Sequence, residues 1–312
     1  MDIVKAAVIG VGSLGQHHAR ILAAHPKADL LFVSDLDEKR GMKIAKANNA
    51  VFVKDFREII PEIQAAVVSV PTEFHYDVAK PLLEAGIHCL VEKPFTLTLE
   101  QAQELIEIAK EKNLVLQVGH VERFNPAVIA AQPFINNPRF VEVNRLGPYD
   151  ARTSHIGVVL DLMIHDIDIL FSLIKDKVVS YEAYGAKILS KTEDIAKVRL
   201  KYANGCVADV SASRVSMEKY RRIRIFQPDS YVSIDYAGKN LKIYRKKEGR
   251  DEIKSFLDID IIKPKLANVE PLFYELDNFL NSVILGKKPL VSGEQGRDAV
   301  ELALDILKNM AF

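Results

Sequence analysis

A chain of 312 residues with 48% hydrophobic and 27% charged content has the profile of a globular protein with one large or two ordinary domains, which excludes the disordered, fibrous and membrane-spanning classes. Lys plus Arg and Asp plus Glu each number 42, so the formal charge is zero and no bulk field draws the protein to nucleic acid or an anionic membrane; neither is expected as a partner. The two cysteines, Cys89 and Cys206, lie far apart in apolar stretches and build neither a disulfide framework nor a zinc cluster, so a cytoplasmic location is expected.

The apolar opening from Ile3 to Val11 is too short to span a bilayer and runs into glycines, so it reads as a buried strand and not a signal peptide. Further apolar strands follow at Asp29 to Ser34, Val51 to Val53, Ala65 to Val70, Ile87 to Val91 and Leu114 to Val118, with helical patterns between them. Strands alternating with helices predict a parallel sheet covered by helices, an α/β arrangement. The best-marked helix starts at Thr98, with Gln101 three residues on in a capping-box pattern and Leu105, Ile106, Ile108 and Ala109 as its apolar residues. Pro81 falls inside the helical stretch from Phe74 to Ala85, and its missing backbone donor predicts a break near Lys80.

The character changes after Val118, where Asn125 to Pro138 collects prolines and amides; this sets a boundary between domains 1–118 and 119–312. The second domain shows longer, alternating strand patterns at Val141 to Arg145, Val178 to Ile188, Ala196 to Tyr202, Val207 to Arg214, Arg221 to Phe226, Tyr231 to Asp235 and Leu241 to Arg245. Short turns such as Asn204-Gly205 join several of them, which predicts a large, open, mostly antiparallel sheet in an α+β domain. Helices are expected at Val158 to Ile174 and Gln295 to Met310.

Gly10-Val11-Gly12-Ser13-Leu14-Gly15 stands between the first strand and the first helix, where a G-x-G-x-x-G run has mechanical meaning. The first glycine allows the tight turn, the second lets a pyrophosphate approach the backbone and the third permits close helix packing at a helix N-terminus that favours anions. Asp35 ends the second strand roughly 20 residues past the loop, where a carboxylate can accept hydrogen bonds from an adenosine ribose. The alternative is a turn shaped by glycines and an aspartate that only caps the next helix; the order strand, loop, helix and acid favours NAD. Leu36 and Asp37 follow, with no Lys or Arg before Lys39, so NADP is disfavoured.

Glu92-Lys93-Pro94 follows the strand ending at Val91, and Pro71-Thr72-Glu73-Phe74-His75 follows the one ending at Val70. Both loops open at carboxyl ends of strands, the edge where open α/β sheets bind ligands. The stretch Gly157 to Ile174 is apolar on nearly every face and therefore buried, yet Asp161, His165 and Asp168 recur at i, i+4 and i+7. Such a stripe must face a polar cavity or charged partners, which makes it a catalytic candidate; a hydrogen-bonded core histidine is the plainer alternative. A hydride transfer needs no metal and this helix carries no second histidine at ligand spacing, so no metal is expected.

These residues together resemble the Gfo/Idh/MocA family of NAD(P)-dependent oxidoreductases, which act mostly on sugars, inositols and nucleotide sugars. The resemblance runs through the glycine loop, Val70-Pro71-Thr72 with His75, Glu92-Lys93-Pro94, Gly119 to Pro126, Asp161 to His165 and Ser292-Gly293-Glu294. It implies a Rossmann domain followed by an open sheet whose exposed face makes homodimer or homotetramer contacts. It also implies a catalytic group of Lys93, Asp161 and His165, and a cofactor site of Gly10, Gly12, Ser13, Leu14, Gly15, Asp35, Pro71, Thr72, His75, Glu92 and Lys93. His120-Val121-Glu122-Arg123-Phe124-Asn125-Pro126 is similar to the branch that oxidises UDP-N-acetylglucosamine at C3. For such a substrate the expected contacts are Lys93, Arg123, Tyr149, Arg152, Asp161 and His165, with Arg214 a further cation for the pyrophosphate. A free-sugar or inositol dehydrogenase, a keto-sugar reductase and a non-catalytic dinucleotide-sensing regulator remain as alternatives; regulators commonly lack the lysine, which is present here.

Overall fold

The computed structural model describes residues 3–151, 156–236, 238, 240–249 and 254–312. Its first six strands, β1 (Val4–Ile9), β2 (Ala28–Ser34), β3 (Val51–Val53), β4 (Ala65–Val68), β5 (His88–Glu92) and β6 (Leu116–Gly119), pair only in parallel, in the order β3-β2-β1-β4-β5-β6. Between them run α1 (Gly15–Ala24), α2 (Glu38–Ala47), α3 (His75–Glu84) and α4 (Leu99–Glu111). The strand order reverses between β1 and β4, and that switch point is where a doubly wound sheet opens a crevice beyond its carboxyl ends. Continuous apolar runs explain the central strands, since Val67, Val68, Leu90 and Val91 are all essentially inaccessible to water.

Thr98 caps α4 through its hydroxyl, which accepts from the Gln101 N–H at 3.3 Å, as its sequence predicts. The break expected near Lys80 does not occur: α3 runs unbroken through Pro81. Its buried face of Val78, Ala79, Leu82 and Leu83 offsets the single hydrogen bond that proline removes. β4 also stops at Val68, two residues short of the expected end, because Ser69 and Val70 turn away beside the glycine loop.

Among the described residues the second sheet has eight strands: β7 (Phe140–Leu146), β8 (Val178–Ala186), β9 (Ile195–Tyr202), β10 (Val207–Ser213), β11 (Tyr220–Phe226), β12 (Ser230–Asp235), β13 (Asn240–Lys246) and β14 (Ile259–Ile262). Their order is β14-β13-β12-β11-β7-β10-β9-β8, antiparallel throughout except for the β7–β10 pair. Alternation is clean in β9, where Ala196, Val198, Leu200 and Tyr202 are buried and Lys197, Arg199 and Lys201 exposed. The proline- and amide-rich stretch read as irregular contains a short helix, α5 (Pro126–Ala131), because Asn125 caps it through the Ala127 N–H and Pro126 occupies the first helical position. The expected helix at Val158 to Ile174 is two pieces: a wide π turn at Val159–Met163 and then α6 (Ile164–Leu173).

The chain then forms α7 (Pro271–Leu285), a helix the sequence pattern did not single out, and α8 (Gly293–Asn309). Leu272, Leu276, Phe279 and Leu280 of α7 join one hydrophobic cluster with Ile21 and Leu22 of α1 and Val4, Ala6 and Val8 of β1. The compact units are therefore not divided once at residue 118. One comprises the chain up to Val121 plus Glu270–Glu301, and the other Glu122–Val269 plus Leu302–Phe312. The apolar stripe of α7 needs a core to cover it, and α1 with β1 provides that core.

Candidate functional site

In the first unit, the glycine loop connects β1 to α1. Gly10 has φ +83°, and a Cβ there would stand 2.7 Å from the Ser69 carbonyl oxygen. A Cβ on Gly15 would approach the Gly10 carbonyl to 1.9 Å, whereas one on Gly12 would meet nothing within 4 Å. Two glycines thus serve the chain's own packing and the third keeps the loop open on the outside. With no acidic residue in the first turn of α1, that outer side suits the pyrophosphate of a dinucleotide.

This difference gives a prediction. Gly12→Ala leaves the melting temperature of the ligand-free protein within about 1 °C but weakens NAD on the order of tenfold or more, because its methyl fills only the space meant for the anion. Gly15→Ala lowers both, since its methyl collides with backbone. Thermal melts paired with NAD titrations separate the two; equal destabilisation of both variants would contradict the assignment.

Asp35, at the end of β2, is 6% exposed and held by the Val11 N–H at 2.8 Å and the Asp37 N–H at 2.8 Å. Arg40 donates to it at 2.6 and 3.1 Å. Burial acts to raise the Asp35 pKa, but the Arg40 guanidinium and the two backbone N–H groups outweigh it and hold the carboxyl below its ordinary value, ionised at neutral pH. Arg40, one residue beyond Lys39 on the first turn of α2, is the basic residue at this site. It is neutralised by Asp35. Asp35→Ser is expected to lower kcat/KM for NAD about tenfold and to raise that for NADP, by freeing Arg40 for a 2′-phosphate. An unchanged cofactor ratio would count against Asp35 as the ribose acceptor.

The loop after β4 leaves Pro71 exposed and Thr72 half-buried, while His75 is 1% exposed. His75 spans two loops, with Nδ1 2.9 Å from the Pro94 carbonyl and Nε2 2.9 Å from the Val70 carbonyl. Burial lowers its pKa, and the neutral ring carries one N–H, so it donates to one of the two carbonyls and packs against the other, beside the segments that carry Thr72 and Lys93. Glu92, at the end of β5, accepts from His18 Nε2 at 2.7 Å and from the Lys93 N–H at 3.2 Å. His18 was not among the residues selected from sequence, although it sits on the buried stripe of α1 with Gly15, Ala19 and Leu22. A polar residue on that stripe, three positions after the last loop glycine, was the available signal. Glu275 of α7 completes a buried trio whose ligand-type atoms lie within 4.8 Å of one another, and the His18–Glu92 spacing is that of a hydrogen bond.

In the second unit, the stripe Asp161, His165 and Asp168 separates. Asp168 is 1% exposed and receives Arg123 at 3.0 Å, whereas Asp161 and His165 are only half-buried. The π turn widens the helix at Asp161 and turns it off the line expected for an α-helix. Arg123, expected to meet a pyrophosphate, is 4% exposed and serves the Asp168 pair. Arg214 is likewise consumed, pairing with Asp194 at 2.7 Å and donating to Ser190 and Thr192. Arg152 lies outside the described residues. Asp161 and Tyr149 line a pocket of about 300 Å³ together with Arg145, Arg214, Lys219 and Arg221. Beneath it, Arg145 donates to Asp166 at 2.7 and 2.9 Å and to Glu122 at 3.1 Å.

Comparison with known proteins accounts for both units. Residues 4–120 match the oxidoreductase family with an NAD-binding Rossmann fold, and residues 136–229 match the GFO/IDH/MocA C-terminal domain. Over 304 residues the chain is 34% identical to UDP-N-acetylglucosamine 3-dehydrogenase of Acidithiobacillus ferrooxidans, covering 97% of this chain and 96% of that one. A solved structure of that enzyme superposes with a TM-score of 0.92, covering 99% and 98% of the two chains at 34% identity. Myo-inositol 2-dehydrogenase of Thermotoga maritima is 25% identical over 326 residues, 98% of this chain and 96% of its own. The chain belongs to the GFO/IDH/MocA oxidoreductase family. It is an NAD-dependent oxidoreductase.

Proposed function

We propose that the protein oxidises the C3 hydroxyl of a UDP-N-acetylhexosamine, UDP-N-acetylglucosamine first, to a ketone. The observation that carries this reading is the 34% identity to a UDP-N-acetylglucosamine 3-dehydrogenase along 97% of the chain. NAD accepts the hydride when bound. The loop of Gly10, Gly12, Ser13, Leu14 and Gly15, open on its outer side at Gly12, would hold its pyrophosphate, Asp35 would accept from its adenosine ribose, and Pro71, Thr72, His75, Glu92 and Lys93 would complete the cofactor site. His165 takes the hydroxyl proton as general base, Lys93 stabilises the developing alkoxide by its positive charge, and Asp161 orients the reacting group.

Inositol 2-dehydrogenases among the relatives favour a second reading, a free polyol as substrate. NADH formation with NAD and a panel of UDP-sugars, hexoses and inositols tests both. Turnover of UDP-N-acetylglucosamine well above the others supports the first, and preference for myo-inositol replaces it with the second. Tight NAD binding without turnover would instead favour a reductase of an untested ketone or a dinucleotide-sensing regulator.

We also propose a cytoplasmic homodimer or homotetramer joined through the second sheet. Phe140, tilted against Phe226, and the stacked Phe226, Tyr231 and Tyr244 line its open face with centroid distances of 6.0, 5.0 and 5.5 Å, opposite the buried Val141, Ile225, Val232 and Ile243. A half-exposed aromatic ladder of this kind suits the centre of an interface. Light scattering reads the mass directly, and a monomer at micromolar concentration would remove the proposal. Cys89 and Cys206, both free and buried, suit a reducing compartment.

A further inference from the structure

The cations in the second unit divide sharply by what they are paired with. Arg123, Arg145 and Arg214 are nearly inaccessible and committed to Asp168, Asp166 and Asp194 at 2.7–3.0 Å. Arg221 differs from all three. It stands directly across from Arg145 in the antiparallel β7–β11 register, so two guanidinium side chains leave the same face of the sheet as nearest neighbours. Like charges opposite one another destabilise a sheet, and the shared acid is Glu122. Arg145 takes Glu122 at 3.1 Å, leaving Arg221 at 3.8 Å from the same oxygen.

The side chain of Arg221 is 39% exposed and lines the pocket that also holds Asp161. Lys219, two residues earlier, adds a second cation to that pocket from an exposed position, and Tyr149 adds a ring. Burial and the Arg145 charge depress the Arg221 pKa despite Glu122, Asp166 and Asp161 nearby. Glu122 lies beyond hydrogen-bond distance of Arg221, and although Asp150 and Asp161 also line the pocket, an anion entering between Arg221 and Lys219 would supply a closer acceptor.

We propose that Arg221, with Lys219 beside it, binds the diphosphate of the nucleotide sugar in the pocket next to Asp161. The arginine fork gives two parallel N–H donors to phosphoryl oxygens, and the lysine adds a point charge at the rim. This assignment rests on the UDP-sugar reading above and moves the phosphate contact from Arg123 and Arg214, which have structural partners, to a residue that does not figure among the sequence-derived sites.

The experiment titrates UDP, without the sugar, into the NAD-loaded full-length protein by calorimetry, for wild type, Arg221→Gln, Arg221→Lys and Lys219→Gln. Arg221→Gln is expected to weaken UDP tenfold or more, Arg221→Lys to recover part of the loss, and Lys219→Gln to cost a few-fold in a salt-dependent way. Parallel kinetics should show the same factor in KM for UDP-N-acetylglucosamine and none for N-acetylglucosamine. Failure of wild type to bind UDP, or UDP affinity unchanged in Arg221→Gln, overturns the proposal. A lowered melting temperature with unchanged UDP affinity does so too, because it assigns Arg221 to stability alone. Absence of turnover with every UDP-sugar strikes the functional reading instead, and the UDP titration still reports on Arg221.

Discussion

His165→Ala is expected to reduce kcat by about 10²–10⁴-fold while leaving the NAD dissociation constant within about twofold, the loss typical of a positioned general base. The rate of the native enzyme should fall as the pH drops and the base becomes protonated, because only the neutral imidazole accepts a proton. The variant should lose both the rate and that acidic limb. Lys93→Ala is expected to bring a loss of similar size without removing the limb, since the lysine contributes charge and not basicity. Rapid-mixing kinetics of NADH formation, run across pH with chemistry rate-limiting, separates the two roles. A profile unaltered in shape in His165→Ala would assign the proton to another group.

The second large effect is on stability. Arg145 and Asp166 are 2% and 0% exposed, joined by two hydrogen bonds of 2.7 and 2.9 Å. Burial opposes the charge on Arg145, but Asp166 and Glu122 together hold the guanidinium firmly protonated. Arg145→Leu leaves Asp166 and Glu122 facing each other without the cation, and breaking such a pair costs about 3–5 kcal/mol. The melting temperature should fall on the order of 10 °C. Arg145→Leu combined with Asp166→Leu should recover part of the loss, since it removes the Asp166 charge and leaves Glu122 with Arg221 at 3.8 Å. Additive losses in the double variant would show that the two do not act as a pair.

The N-terminal sheet was legible because each of its strands is an apolar run bounded by turn signals, and because the glycine loop and Asp35 fall at the ends of the first two. The positions of Glu92, Lys93 and the Pro71–His75 loop at the carboxyl ends of β5 and β4 were legible for the same reason. Less was visible where a decision depended on pairing between distant segments. Nothing local distinguishes Arg123 from Arg221, yet one is consumed by Asp168 and the other shares an acid already taken by Arg145. The π turn at Val159–Met163 also escaped, because apolar residues on nearly every face carry no periodicity to betray a change of helical pitch. Arg40 could have been found by reading one residue further, to the first turn of the helix that follows Asp35.

The covering of the first unit by α7 bears on how the polypeptide is made. Leu272, Leu276, Phe279 and Leu280 belong to the same cluster as the first strand and first helix, but the ribosome supplies them after about 250 intervening residues. At a synthesis rate of about 5–20 residues per second, the glycine loop emerges roughly 10–50 s before the helix that seals the core behind it. During that interval the apolar residues of α1 and β1 lack their α7 cover, so a truncation that ends before Pro271 is expected to lose solubility and to aggregate where the full chain does not.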